Sequence, residues 1–470
     1  MKNTIVRIES IEIRNFKNVR FGKLSFENNR KSYKSSILGL YGQNGSGKTA
    51  LIDAMALLKF ALTMQSAPKL FADFIHVDAE YATLKYEFKV TNHDSESEYT
   101  VFYEFKLRKD IEDTLQPQEY IGGEAVRSKA VIFDEVLSYS YKCRDQKVKL
   151  LPVVDTRTEE VFIPTTKYEI LVGKEKSTET DLLVAKKYAA ETSRSFVFSK
   201  ELLNAMRKQC KTGYHLDLFE NLFYFGSYEL FIIDTSNSGL ITLNTLPLAF
   251  NYVEKGKTAI GSLMIQLNRS SLIPKEALSI VCKVIDNMNI VLKQLVPGLT
   301  IGVKDLGTEL FPNGNMGNKI QLISRKNSKE IPLRYESEGI KKIISILQLL
   351  IVIYNKSSIT VAVDEIDSGV FEYLLGELLR IISEKGKGQL VFTSHNLRPL
   401  ETLDRGFIAF TTTNPENRYI RMSNVKTNNN LRDFYYRDIV LGEQSEVVYE
   451  PTNNYEIALA FREAGELSGS

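Results

Sequence analysis

Apolar and polar residues alternate through IVRIESIEIRNF, positions 5–16, and again through KLSF, before the apolar run ILGLY at 37–41 reaches a glycine-rich turn. Period-two alternation predicts half-buried strands, and a short unbroken apolar run predicts a fully buried one. Leu51, Ile52, Ala54, Met55 and Leu58 then recur at helical spacing, so a helix is expected through about Leu62. Four further segments, YATLKYEFKV, YTVFYEFKL, AVIFDEVLSYSY and TKYEILV, read as strands of an antiparallel layer between about 80 and 170. From about 180 to 300 the pattern turns mainly helical, in LLVAKKYAAE, KELLNAMRKQ and EALSIVCKVIDNMNIVLKQLV.

Past residue 300 strand and helix alternate: strand IQLIS, a helix over 340–354, strand ITVAVDE, a helix over 370–384, then strands QLVFTSH and FIAFTT. That alternation predicts an α/β fold, a mixed sheet with flanking helices, interrupted by an inserted β-rich and helical arm. The expected divisions are an N-terminal lobe at 1–175, a mainly helical insertion at 176–300, a C-terminal lobe at 301–430 and a tail at 431–470. The polar run TNNN at 427–430 marks the last boundary.

Charge and composition narrow the picture without naming a partner. Lys+Arg at 60 against Asp+Glu at 58 leaves +2, so no general basic field points to nucleic acid, although a local patch can hide inside a neutral total. Three cysteines, Cys143, Cys210 and Cys282, lie too far apart in sequence for a zinc knuckle or a disulfide framework, which suits a reducing compartment. The first residues hold no apolar core of signal-peptide length. The longest apolar run, Ile343 to Tyr354, contains Gln348 and falls well short of the roughly 20 residues a membrane span needs. A cytoplasmic protein with no membrane partner is therefore expected.

The chemistry concentrates in four places. GQNGSGKT, Gly42 to Thr49, fits the pattern G-x-x-x-x-G-K-[ST] and sits between a buried strand and a helix, the context such a loop requires. Gly42, Asn44, Gly45, Ser46 and Gly47 would supply backbone to a phosphate cradle; Lys48 would reach the β- and γ-phosphates and Thr49 would ligate Mg²⁺. ITVAVDEID delivers two acids where a strand leaves the sheet, Asp364 to hold the metal and Glu365 to polarise an attacking water. QLVFTSHNL ends another buried strand in Ser394 and His395, one of only four histidines. That histidine reads either as a γ-phosphate contact or as a helix cap. In RYESEGIKKIISIL, Ser337 and Gly339 open an apolar helix, which makes either a second phosphate site or an ordinary capping box.

Taken in this order, P-loop, S-x-G, strand with Asp-Glu and strand with Thr-Ser-His, the chain resembles the ABC-type ATPases of the SMC and RecF kind. The opening IESIEIRNFKNV and the tail NLRDFYYRDIVLGEQSEVVYEPTNNYEIALAFREAG are similar to prokaryotic AAA-family ATP-binding proteins, a group rich in anti-phage defence ATPases. The resemblance implies ATP and Mg²⁺ as cofactors, hydrolysis through Glu365, His395 and Lys48, and a head-to-tail dimer in which Ser337 and Gly339 close on the nucleotide of the other subunit. Ser368 and Gly369 fall where that family senses the opposite site, and Phe371 stands where transporters and SMC proteins usually carry an aspartate. An effector protein partner is implied as well, in defence or in a DNA-linked process, and nucleic acid stays open. Two other classes remain: an ATPase of DNA repair, and an ATP-binding scaffold that does not hydrolyse. A nuclease fusion would need a further domain, and the short remainder after His395 is too small for one.

Overall fold

The computed structural model describes residues 4–28, 34–111, 128–144, 146–233, 245–254, 257–326, 329–422, 430–442, 444–450 and 452–467. Most of the tetrad at 427–430 lies outside them.

Two sheets enclose the first helix. Strands Val19–Ser25, Thr4–Phe16, Tyr81–Asn92, Ser97–Ile111, Ser128–Lys142 and Lys147–Asp155 form one antiparallel sheet in that spatial order. The alternation in Thr4–Phe16 changes parity because its register with Tyr81–Asn92 shifts between Ile8 and Ser10; Val6 and Ile8 point inward before the shift, Ile11 and Ile13 after it. The second sheet runs Tyr419–Ile420, Ile408–Thr411, Ser36–Tyr41, Gln389–Thr393, Thr360–Val363, Leu230–Ile233. Every pair in it is parallel except the edge strand Tyr419–Ile420. Helix Lys48–Leu62 packs with both, and is therefore buried nearly all round. Tyr86, from the antiparallel sheet, donates its hydroxyl to the Ala54 carbonyl of that helix at 2.7 Å.

A smaller sheet places Ser271–Pro274, Met316–Lys326 and Leu299–Leu310 side by side, with Lys329–Pro332 paired to Met316–Lys326. Asn289, on helix Ala277–Leu295, ties that helix to the sheet by accepting from the Ile301 amide and donating to the Ile301 carbonyl, both at 2.8 Å. Among the described residues no helix is long and apolar enough to cross a membrane.

One sequence expectation is corrected and two are extended. TKYEILV is a helix, Thr165–Val172, because Pro164 fixes its start, Gly173 at φ +83° ends it, and Tyr168, Leu171 and Val172 share one face. The neighbouring segment KVKLLPVVD, not expected as a strand, supplies the sheet edge at Lys147–Asp155, where Pro152 is tolerated. The stretch 176–300 has the helices Lys176–Glu191, Lys200–Gln209, Gly213–Tyr224 and Ala277–Leu295, but also the strands Leu230–Ile233, Thr245–Glu254, Lys257–Gln266 and Ser271–Pro274. Periodicity cannot separate a four-residue run such as LFII from a piece of buried helix.

The first three of those helices pack on the antiparallel sheet. Fully buried Glu135 accepts from the Tyr103 hydroxyl at 2.6 Å, from Ser195, and from the Phe196 amide at 2.6 Å. Burial drives its carboxyl above the ordinary range, and the four hydrogen bonds it accepts pull the other way. In the tail, helix Leu431–Leu441 lies on the head: Leu431, Phe434 and Tyr435 are buried, and Arg432 pairs with Glu401 at 2.8 Å. Helix Asn454–Leu467 is exposed, with Tyr455 and Phe461 open to solvent.

One side chain joins the two large sheets. Buried Gln389 accepts from the Ile8 amide and donates to the Ile8 carbonyl, both at 2.9 Å, while its oxygen also accepts from the Thr360 hydroxyl at 2.9 Å. Replacing it with leucine strands three buried polar groups. Gln389→Leu is expected to lower unfolding free energy by about 2–5 kcal/mol, at ~1–3 kcal/mol per unsatisfied group with some relaxation. Urea denaturation followed by circular dichroism checks this; an unchanged midpoint would mean that the junction is held elsewhere.

Candidate functional site

Three parallel strands end side by side. In their register Thr393 pairs with Leu40, and Val363 with Phe392, so the residues that follow each strand emerge at one edge of the sheet. Those residues are Gly42–Thr49, Asp364–Glu365 and Ser394–His395. A cavity of about 470 Å³ opens there, lined by Asn44, Gly45, Gly47, Lys48, Thr49, Ala50, Asp364, Glu365, Thr393 and His395, together with Lys17 and Asn18.

The glycines of the loop are there for different reasons. Gly42 has no room for a side chain: a Cβ would stand 1.7 Å from the Thr411 hydroxyl oxygen. Gly45 and Gly47 take φ of +75° and +94°, which most residues avoid. The turn is held from outside by the Asn18 amide donating to the Gly45 carbonyl and by the Tyr419 hydroxyl donating to the Gly47 carbonyl at 3.0 Å. Ser46 donates to the Gln43 carbonyl at 2.6 Å and pairs with Thr411, so its hydroxyl is used inside the loop; neither Ser46 nor Gly42 lines the cavity. Helix Lys48–Leu62 begins at Gly47 with no side-chain cap, which leaves its first-turn amides available for an anion.

Lys48 folds back over the loop and donates to the carbonyls of Gly42 at 2.8 Å and Gln43 at 2.9 Å. Burial pulls its pKa down from the usual lysine value, and the carboxylates of Asp364, Glu365 and Asp367 oppose that. Asp364 is buried and accepts from the Thr393 hydroxyl, whose oxygen in turn accepts the Glu365 amide at 2.8 Å. Glu365 sits at φ +47°, a left-handed turn that carries its exposed side chain to the cavity rim. His395 lines the same cavity, and its amide donates to Asp367 at 3.1 Å. Helix Arg398–Thr402 has no side-chain cap at Leu397, and its first amide, Arg398, is met by Asn396 at 2.8 Å; His395 does not cap it.

Ser337 and Gly339 lie apart from this cavity. Ser337 is exposed and caps helix Glu338–Asn355 by accepting the Ile340 amide at 3.4 Å. Sequence reasoning had not singled out Lys17, Asn18 or Thr393 for the site. The first two stand within RNFKNV, where the local pattern gives no sign of what they touch; Thr393 stands one residue before the Ser-His pair. Thr411 and Tyr419, which brace the loop, come from strands hundreds of positions away and carry no local signal.

A family profile described as an AAA domain matches residues 10–232. Over that stretch the chain is similar to an AAA domain. The match runs from the first strand through the loop and its helix to Leu230–Ile233, the strand beside the acid-bearing one. No curated protein matches the chain. Among solved structures, similarity extends to an SMC head bound to the C-terminal winged-helix domain of ScpA, with 12% identity, 89% of this chain and 98% of that chain covered, and a TM-score of 0.38. The SMC head domain from Thermotoga maritima gives 15% identity over 89% and 99%, with a TM-score of 0.34. The recombination mediator RecF-ATPrS of the RecFOR pathway gives 13% over 89% and 98%, with a TM-score of 0.35. Scores and identities at this level assign no activity.

Lys48 is the one loop cation whose ammonium now rests on carbonyls that bound phosphate oxygens would replace. Lys48→Ala is expected to weaken binding of a fluorescent ATP analogue about 10- to 100-fold, the scale of a charge-assisted bond worth ~1.5–3 kcal/mol. Unchanged affinity by titration would remove this loop as the nucleotide site.

Proposed function

We propose that this chain is an ATPase that binds ATP with Mg²⁺ and hydrolyses it in a head-to-tail dimer. The observation that carries the proposal is the single cavity shared by Lys48, Thr49, Asp364, Glu365 and His395. Phosphoryl transfer to water needs cationic and amide donors around the γ-phosphate, a hard-oxygen metal site and an oriented nucleophile. In this reading the amides of Asn44, Gly45 and Gly47 and the ammonium of Lys48 hold the phosphates. Ser46 supports the loop, and Gly42 allows it to approach Thr411.

The Thr49 hydroxyl and the Asp364 carboxylate are hard oxygen donors that would hold Mg²⁺, which would neutralise phosphate charge there. Thr393 keeps Asp364 oriented toward that position. Glu365 accepts a proton from the attacking water, and His395 donates to the γ-phosphate as charge builds on it. Ser337 and Gly339 do not line their own chain's cavity, and they stand at the start of a long buried helix that Ser337 caps. That arrangement supports their service to a second copy's nucleotide, with the helix N-terminus facing the γ-phosphate.

The biological reading that goes with this is a sensor or gate whose nucleotide state is passed to an effector protein, in anti-phage defence or a DNA-linked process. It rests on the resemblance of the four motifs and the tail, and the exposed helix Asn454–Leu467 offers such an effector an apolar surface.

Glu365→Gln is expected to retain ATP affinity, lose hydrolysis and accumulate as a dimer, because the γ-phosphate that bridges the two copies is no longer removed. Light scattering with and without ATP-Mg²⁺ measures this, and a mass that does not double while ATP is bound opposes the dimer. Separately, Ser337→Arg places a bulky cation on the closing face; it should bind ATP normally and turn it over at least 10-fold more slowly, roughly the loss of one transition-state contact. Normal turnover in that variant would mean that Ser337 is only a helix cap.

A further inference from the structure

Helix Glu338–Asn355 carries two adjacent lysines that are both buried, Lys341 and Lys342, and they behave differently. Lys341 reaches back to Glu338 at 2.5 Å, within its own first turn and toward solvent. Lys342, only 3% exposed, leaves its helix altogether, and its ammonium donates to the backbone carbonyl of Glu365 at 3.2 Å. A lysine is seldom buried this deeply unless something compensates its charge. The compensation comes from Asp367, Asp364 and Glu365, which surround the acid turn.

The peptide that Lys342 holds follows a residue in a conformation that non-glycine residues seldom adopt. Glu365 has φ +47°, a conformation that costs a non-glycine residue of the order of 1 kcal/mol. Its amide is fixed by Thr393 on one side and its carbonyl by Lys342 on the other. Gly339, three residues before Lys342 and so on the same helical face, abuts the end of the same turn: a Cβ there would stand 2.2 Å from the Gly369 carbonyl oxygen. One face of helix Glu338–Asn355 thus touches the acid turn at both ends, at Glu365 and at Gly369.

We propose that Lys342 is a positioning residue for hydrolysis, holding the Glu365 backbone so that its carboxylate meets the attacking water, and thereby tying the helix that opens at Ser337 to the acid turn. It touches neither nucleotide nor water. The inference rests on the ATPase reading above and specifies how that site is kept in register. Displacing a catalytic carboxylate by about 1 Å can cost on the order of 10²-fold in rate. Loss of Lys342 therefore acts on the chemical step and leaves the phosphate contacts of Lys48 in place.

The test uses Lys342→Met, which preserves length and suits a buried setting, beside Lys342→Arg and Glu365→Gln. Expected for Lys342→Met are a kcat reduced about 10- to 100-fold, ATP affinity within about twofold of the parent, and ATP-dependent dimerisation intact. Lys342→Arg should recover part of kcat, since a donor returns to the Glu365 carbonyl. Parent-like kcat in a folded Lys342→Met protein overturns the inference, as does equal loss of affinity and rate. A kcat that falls only in proportion to the folded fraction, judged by thermal melting, shows a merely structural lysine and also overturns it. The parent and Glu365→Gln separate the two levels: a parent that hydrolyses no ATP defeats the ATPase assignment itself, a Glu365→Gln variant as active as the parent removes Glu365 as the water-activating group and the inference with it, whereas an inactive Glu365→Gln with a fully active Lys342→Met defeats only the role given to Lys342.

Discussion

The in-register parallel pairing of Ser36–Tyr41, Gln389–Thr393 and Thr360–Val363 is the constraint on which the rest of the molecule depends. Parallel strands all finish at the same edge, and there the chain must leave the sheet in loops whose polar groups face outward. Three such exits, placed one strand apart, bring a glycine-rich loop, a pair of acids and a histidine to a single cavity. A slip of one residue in any of the three strands would turn its exit residue to the opposite face of the sheet. The buried, largely apolar side chains of these strands fix that register by packing, and Gln389 ties it to the antiparallel sheet through Ile8.

Because the strands come from both ends of the chain, the site is held by contacts of long sequence separation. Arg418 donates to the Asn18 carbonyl at 2.6 Å, and Asn18 donates to Gly45 in the phosphate loop. Tyr419 reaches Gly47, Thr411 meets Ser46, and the Glu450 amide is accepted by Gln43 at 3.0 Å. The intervening chain does not displace these contacts, since its first helices are anchored to the antiparallel sheet by Glu135 and its second half forms a sheet of its own. Nucleotide-loop geometry is consequently a property of the assembled head, not of the glycine-rich segment alone.

Much of this was legible in sequence where a residue's role depends on its immediate neighbours. The alternation in Thr4–Phe16, the apolar strand ahead of GQNGSGKT, and the strand before Asp364 and Glu365 each state their structure locally, and all stand where expected. The histidine was legible by its position one helix and one strand after the acids, while only the structure shows that Asn396, and not His395, meets the first amide of the helix that follows. TKYEILV misled because β-prone side chains outweighed Pro164 and Gly173 at its ends, and LFII was too short to show any period. Lys342 was illegible for another reason: a Lys-Lys pair in an apolar helix gives no local sign of what either side chain meets, and only the crossing of that helix over the acid turn shows that both are buried and that Lys342 reaches the Glu365 carbonyl.

In the proposed dimer one phosphate is gripped by the strand-end residues of one copy and by the first turn of helix Glu338–Asn355 of another. A crystal structure of Glu365→Gln with ATP and Mg²⁺ tests it most directly. The account predicts the γ-phosphate within about 2.7–3.2 Å of the Lys48 ammonium and of the partner copy's Ser337 hydroxyl, with the metal on Thr49 and beside Asp364. A nucleotide bound away from Lys48, or bound there while every Ser337 faces solvent in a single copy, would contradict it.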